Sequence, residues 1–209
     1  MELRFQEIPG YLYGAQQPSI LLKFKMAPGA QTGLKIALSN IIHTLDQPIE
    51  ADLFDVRDPT TDLPDEVLLC VSAIAAFNSY AGDIRLSKVR AFQEEDEIVC
   101  AIPTLSLNLT KHSLALLGHI FQSKINDKNE LFTLITHQLL KAKNHLPAGS
   151  DAKYFIRAAG DLRIPFHILD RRHIIFGYGA GSSIFTSTIT ECDNSLGFSI
   201  GLCCTNCAS

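Results

Sequence analysis

No apolar run in this chain of 209 residues approaches the roughly 18 that a membrane-spanning helix needs. The opening Met1-Glu2-Leu3-Arg4-Phe5 has no charged leader followed by an apolar core, so no signal segment is expected and the chain reads as cytoplasmic. A surplus of positive charge is missing too. Lys and Arg number 18 against 22 Asp and Glu, for a formal net charge of −4, and the basic residues are scattered. Such a surface has no field to hold a phosphate backbone or an anionic bilayer, so neither nucleic acid nor membrane is an expected partner. There is no H-E-x-x-H pair for a metal and no G-x-S-x-G elbow for a serine nucleophile. Internal repeats and low-complexity tracts are also absent, which removes the solenoid and linker classes.

What is present is the composition of a soluble globular chain, 46% hydrophobic and 19% charged, long enough to bury a core without disulfides or metal. Cys70 and Cys100 sit inside apolar segments, where free thiols pack as small hydrophobes.

Periodicity gives the elements. "SILLKFKM" from Ser19 alternates as a strand, with Ile20, Leu22, Phe24 and Met26 facing one way. Leu34, Leu38, Ile41, Ile42 and Leu45 recur at helical spacing before Pro48. A second helix is expected from about Leu63 to Tyr80, with Asp62 as N-cap, Pro64 in its first turn and Gly82 as its stop. Ser87 to Gln93 and Ile98 to Asn108 read as a hairpin around the acidic turn "EEDE". Thr110 opens a helix with Leu114, Leu117, Ile120, Phe121 and Ile125 on one face, and a further helix carries Leu131, Leu134, Ile135 and Leu139.

The turn-rich "NHLPAGSD" is the expected boundary. Beyond it the pattern predicts a helix from about Asp151 to Asp161, the strand "IPFHIL", the charged turn "DRR" and the strand "HIIF", a β-α-β-like succession. The fold class is therefore α+β, with an N-terminal mixed α/β domain over residues 1–147 and a small α/β unit over 150–209.

After "HIIF" come three glycines in five residues, Gly177, Gly179 and Gly181. A dinucleotide fingerprint would want its last glycine where Ser182 stands, and a Walker-type loop would need a lysine that the remaining residues do not supply. A structural turn is the preferred reading over a phosphate contact.

Order adds meaning. Ala158-Ala159, Ile164-Pro165, Gly177-Tyr178-Gly179, Thr188 and Thr190 follow one another in a stretch of about 50 residues that resembles the pre-ATP-grasp region of cyanophycin synthetases and related carboxylate–amine ligases. In that family an alanine-rich helix end leads through Gly-Ile-Pro to a strand, a Gly-Tyr-Gly turn, a Thr-containing strand and a helix. The resemblance implies a cyanophycin synthetase-like N-terminal domain over 1–147 and a pre-ATP-grasp-like segment over 150–209. Gly177, Tyr178 and Gly179 would form the family's turn motif. One departure is "AGSSIF" after the turn, where the family carries an arginine-rich run.

The resemblance also implies that the lysine and acidic elements of the ATP-grasp core lie beyond what is present, so no catalytic residue and no cofactor is expected in this chain. ATP and Mg2+ are implied only for a full-length ligase. The implied partners are a peptide or amino-acid polymer substrate, and either the ligase core or a second copy of the chain. A freestanding interaction module is the alternative.

Three further groups are weighed on their residues. Cys192, Cys203, Cys204 and Cys207 crowd the end of the sequence, and the C-C-x-x-C of Cys203, Cys204 and Cys207 is a candidate metal or thiol-exchange site; a tetrahedral zinc would need a second ligand pair, so an ordinary segment is preferred. His112 with His119 and His137 with His145 are spaced along predicted helices, where packing is favoured over metal binding. Asp170-Arg171-Arg172 reads as a charged turn rather than an anion site.

Overall fold

A computed structural model describes residues 2–8, 17–25, 39–41, 43, 45, 53–56, 63–123, 127–147, 150–186 and 189–190. The chain divides into two compact units, Met1–Leu146 and Pro147–Ser209. Among the described residues no helix is long and apolar enough to cross a membrane.

The first unit is built on a sheet of five strands: β1 (Glu2–Ile8), β2 (Ser19–Lys25), β3 (Phe54–Val56), β4 (Val89–Glu94) and β5 (Glu97–Pro103), in the spatial order β1-β2-β5-β4-β3. Every pairing is antiparallel except β3 with β4. Cross-strand ion pairs join Arg4 to Glu97 and Lys23 to Glu94. The alternation in β2 works as the sequence predicts, with Ile20, Leu22 and Phe24 fully buried. Its other face is covered only in part: Leu21 packs with Ile8, Val99, Ala101 and Phe92, whereas Lys25 at the end of the strand is exposed.

The described residues of this unit include α1 (Asp65–Ala81), α2 (Leu107–Ser123) and α3 (Lys128–Ala142), followed by a 3-10 turn at Lys143–His145, and residues 39–41 and 43 are helical as well. Helix α1 begins two residues later than expected. Pro64 stands at its N-cap with no side-chain cap bond, and the expected cap, Asp62, lies outside the described residues. Its end is as expected: Gly82, at φ 99°, lets the amides of Gly82 and Asp83 reach the carbonyls of Ser79 and Asn78.

The strand expected to run to Asn108 stops at Pro103. Ser106 then caps α2 by accepting the Leu109 amide at 3.2 Å, so Asn108 is helical and the helix starts before Thr110. Leu109, Leu116, Leu117 and Ile120 are buried on α2, and Leu131, Ile135 and Leu139 on α3. Of the helix expected from Leu34, only 39–41, 43 and 45 are described; Ile41 and Leu45 are buried.

The second unit opens with α4 (Ser150–Asp161) and continues as β6 (Phe166–Ile168), β7 (His173–Phe176), β8 (Ser183–Thr186) and β9 (Ile189–Thr190). These strands form an antiparallel meander in sequence order. The β-α-β-like succession expected here is instead a helix followed by hairpins, because the links "LDRR" and "GYGAGS" are too short to cross over between parallel strands. Ala152, Ile156, Ala159, Phe166 and Ile174 are buried. Phe155, Phe185 and Phe176 pack in a row, the first pair tilted and the second edge-on, with ring centroids 5.1 and 4.9 Å apart. Helices together with largely antiparallel sheets make the chain α+β.

Candidate functional site

Gly177 and Gly179 both have left-handed backbones, at φ 89° and 57°, and a single 3-10 turn at Gly179–Gly181 closes the loop. The turn joins two paired strands, with Phe176 opposite Ser183. No helix follows it. The amide row and dipole that a phosphate loop draws from a helix N-terminus are therefore missing from this turn; positive φ accounts for Gly177 and Gly179, and nothing in the structure explains the glycine at Gly181. The Gly177 amide donates to the Pro165 carbonyl at 2.7 Å, and the Ser182 hydroxyl to the Gly179 carbonyl at 2.8 Å. Tyr178, between the two glycines, is 66% exposed. Thr190 lies in β9, whereas Thr188 is outside the described residues.

The charged turn before β7 is organised by Asp170. Its carboxylate accepts the Arg172 amide at 2.7 Å, the His173 amide at 2.9 Å and the His173 ring Nδ1 at 2.8 Å. The Arg172 amide above all, then the His173 ring and amide, hold the Asp170 carboxyl below its usual range. Arg171 and Arg172 are exposed. An Asp–His pair beside Ser182-Ser183 invites comparison with a hydrolytic triad. His173 pairs with Thr186, however, and Ser183 with Phe176 at the other end of the hairpin. Three residues of strand, roughly 10 Å, separate imidazole and hydroxyl, beyond proton-transfer reach.

A more connected polar cluster lies in the first unit, where sequence periodicity does not reveal it. Gln17, Asn78, Thr104, Thr110 and Ser113 are all buried. The Asn78 amide donates to the Thr110 hydroxyl at 2.9 Å and accepts from the Ser113 hydroxyl at 2.7 Å, tying α1 to α2. Next to it Asp83 accepts the Thr104 hydroxyl at 2.7 Å, the Ile84 amide at 2.9 Å and the Leu105 amide at 3.0 Å. The Gln17 side chain donates to the Ile84 carbonyl and accepts the Leu86 amide. Three backbone amides of two loops are thus satisfied by side chains. The available signal was a polar residue inside the apolar "AIAAFNSYAG" and a Thr and Ser three apart on α2.

Burial pushes the Asp83 carboxyl up from 3.8 to about 6, against the opposing hydrogen bonds from Thr104, Leu105 and Ile84 and the charge of Arg85. The folded state therefore binds this proton more tightly than the unfolded chain. Asp83's contribution to stability is greatest below about pH 4 and is lost as pH rises through about 6. Asp83→Asn removes the ionisation, so the stability of the native chain relative to this variant should fall between those limits. Urea melts of both at several pH values provide the check, and a difference that stays flat or rises with pH contradicts it.

Cys70 and Cys100 are free and buried, each thiol pushed up to about 12 by desolvation, with Cys70 itself adding to the shift at Cys100. They are poor nucleophiles at neutral pH. Cys192, Cys203, Cys204 and Cys207 lie outside the described residues. Among the described residues no group of three His, Cys, Asp or Glu side chains is placed to hold a metal. The histidines pair differently from their spacing: His112 stacks on His145, with centroids 5.1 Å apart and planes at 20°. Compared with known proteins, the chain matches no family model and no curated protein.

Proposed function

We infer that the chain is the substrate-binding and scaffolding portion of an ATP-dependent carboxylate–amine ligase, acting on a peptide or amino-acid polymer and not catalytic by itself. The observation that carries this reading is at Arg163. The resembled family has a glycine before its Ile-Pro pair. Arg163 stands there with φ 55°, in the left-handed region that glycine favours.

The bonds around it form a Schellman ending to α4. The Arg163 amide reaches the Gly160 carbonyl at 3.1 Å, and the Ile164 amide reaches the Ala159 carbonyl at 2.8 Å. The next residue, Pro165, accepts the Gly177 amide. Ala159, Ile164-Pro165 and Gly177 are therefore joined in one hydrogen-bonded path, which supports treating these short matches as a single motif. On this reading Gly177, Tyr178 and Gly179 shape a connecting hairpin, and ATP and Mg2+ belong to the ligase core.

A second reading, a freestanding interaction module, is favoured by apolar exposure on the second unit. Tyr154, Leu162, Leu169 and Tyr178 are each more than half exposed. Its partner would be a ligase core or another copy of the chain. The coding sequence after the Ser209 codon separates the two: it should continue into an ATP-grasp core, in phase or shifted, and unrelated sequence there would overturn the ligase reading in favour of the module. Calorimetry of the chain with Mg-ATP should give no micromolar binding. Tight binding would overturn both readings, since each leaves this chain without a nucleotide site.

A further inference from the structure

Four of the seven histidines, His112, His119, His137 and His145, fall in two stretches, 98–126 and 131–150, that contain no Asp or Glu, although the chain's net charge is −4. These stretches supply α2 and all but the first turn of α3. Between the two helices lies a groove of 180 Å³ lined by His112, Ala115, Leu116, His119, Gln138 and Leu139. Its floor is apolar, because Leu116 and Leu139 are buried. Ala115, between the two histidines in sequence, adds only a methyl and leaves the space open.

His112 and His119 are seven residues apart, so they stand two turns or roughly 10 Å apart along the axis. They cannot share one metal ion, which needs each ring nitrogen within about 2.1 Å. The stack on His145 limits the rotation of the His112 ring. Basic residues at the end of α3, such as Lys141, are accounted for by the helix dipole. His112, in the second turn of α2, is not. The neighbouring Lys111 is already paired with Glu7 at 2.6 Å, so the polar donors around the groove are the two imidazoles and the Gln138 amide.

We propose that this groove binds a short aliphatic dicarboxylate. One carboxylate accepts from His112, the other from His119, the methylenes rest on Leu116 and Leu139, and the Gln138 amide donates to a carboxylate oxygen. The two backbone positions are roughly 10 Å apart along the helix, a separation that a dicarboxylate with a short methylene chain can bridge, and glutarate is the probe of that length. The site does not depend on the ligase reading and holds whether or not a catalytic core accompanies this chain.

The test is a titration of the full chain with glutarate, following the histidine ring protons by NMR. Saturable shifts are expected at His112 and His119, with His145 following through the stack and His137 unmoved. His112→Ala and His119→Ala should each weaken binding about tenfold or more, as expected for loss of a charge-assisted hydrogen bond. Butyrate, with one carboxylate, should bind weaker by a similar factor, and His137→Ala should match the native chain. The substituted side chains are exposed, and circular dichroism checks that each variant folds. Equal shifts at all histidines, equal affinity for butyrate, or no saturation at tens of millimolar would overturn the proposal.

Discussion

Asn78→Leu should destabilise the first unit by about 2–4 kcal/mol, although leucine nearly matches asparagine in shape. The Asn78 side chain is 4% exposed and is both donor to Thr110 and acceptor from Ser113, whose hydroxyls are fully buried. Leucine gains apolar contact but leaves Ser113 without its acceptor and Thr110 without its donor. Thr110 keeps only a long contact of 3.5 Å to the Ser106 carbonyl, so it recovers little. A buried polar group stripped of its partner costs more than the bond contributed, because neither water nor protein replaces it. The same argument predicts rescue: adding Thr110→Val and Ser113→Ala to Asn78→Leu should return stability to within about 1 kcal/mol of the native chain. Urea denaturation followed by circular dichroism measures both. A single variant as stable as the native chain, or a triple variant as weak as the single, would show that these bonds are not what joins α1 to α2.

That network also marks where reading the sequence stops working. Periodicity locates Leu131, Ile135 and Leu139 on α3 and the buried side of β2, but only Leu117 and Ile120 of the face expected on α2, where Leu114 and Phe121 are half-buried, Leu109 and Leu116 are buried instead and Ile125 lies outside the described residues. Gly82 ends α1 for a local steric reason, so it too is legible. Asn78, Thr110 and Ser113 break the apolar pattern, and a polar residue on a helix is read as facing water unless its partner is known. Their partners are more than 30 positions away, at separations that no window spans.

The start of α2 is misplaced for a related reason. Ser106 can cap a helix or sit in a turn, and the choice depends on Thr104 and Asp83 holding the preceding loop. The His112–His145 stack is invisible to spacing, since it forms across two elements. In the second unit the glycines announce a turn, but whether a helix or a strand follows them is decided by the pairing of β7 with β8.

Within that hairpin, Gly177→Ala should cost about 3 kcal/mol and Gly179→Ala only about 1 kcal/mol, a contrast that separates two demands on glycine. Both residues have positive φ, at 89° and 57°, so any side chain meets the left-handed penalty at either position. They differ in space. A Cβ on Gly179 would meet nothing within 4 Å, whereas one on Gly177 would stand 2.7 Å from the Gly181 carbonyl oxygen and 3.2 Å from the Ser182 Cα. Those are backbone atoms of the same tight loop and cannot swing aside as a side chain could. Relief requires opening the loop, which strains the Gly177 amide's bond to the Pro165 carbonyl and the pairing of Phe176 with Ser183. Phe176 packs edge-on against Phe185, which in turn meets Phe155 of α4, so the disturbance reaches the packing of α4. Hydrogen exchange should show faster opening of the β7 and β8 amides in Gly177→Ala while those of β2 and β5 stay protected, because the two sheets belong to separate compact units. Equal costs for the two substitutions would mean that the loop yields readily, and that backbone conformation alone requires its glycines.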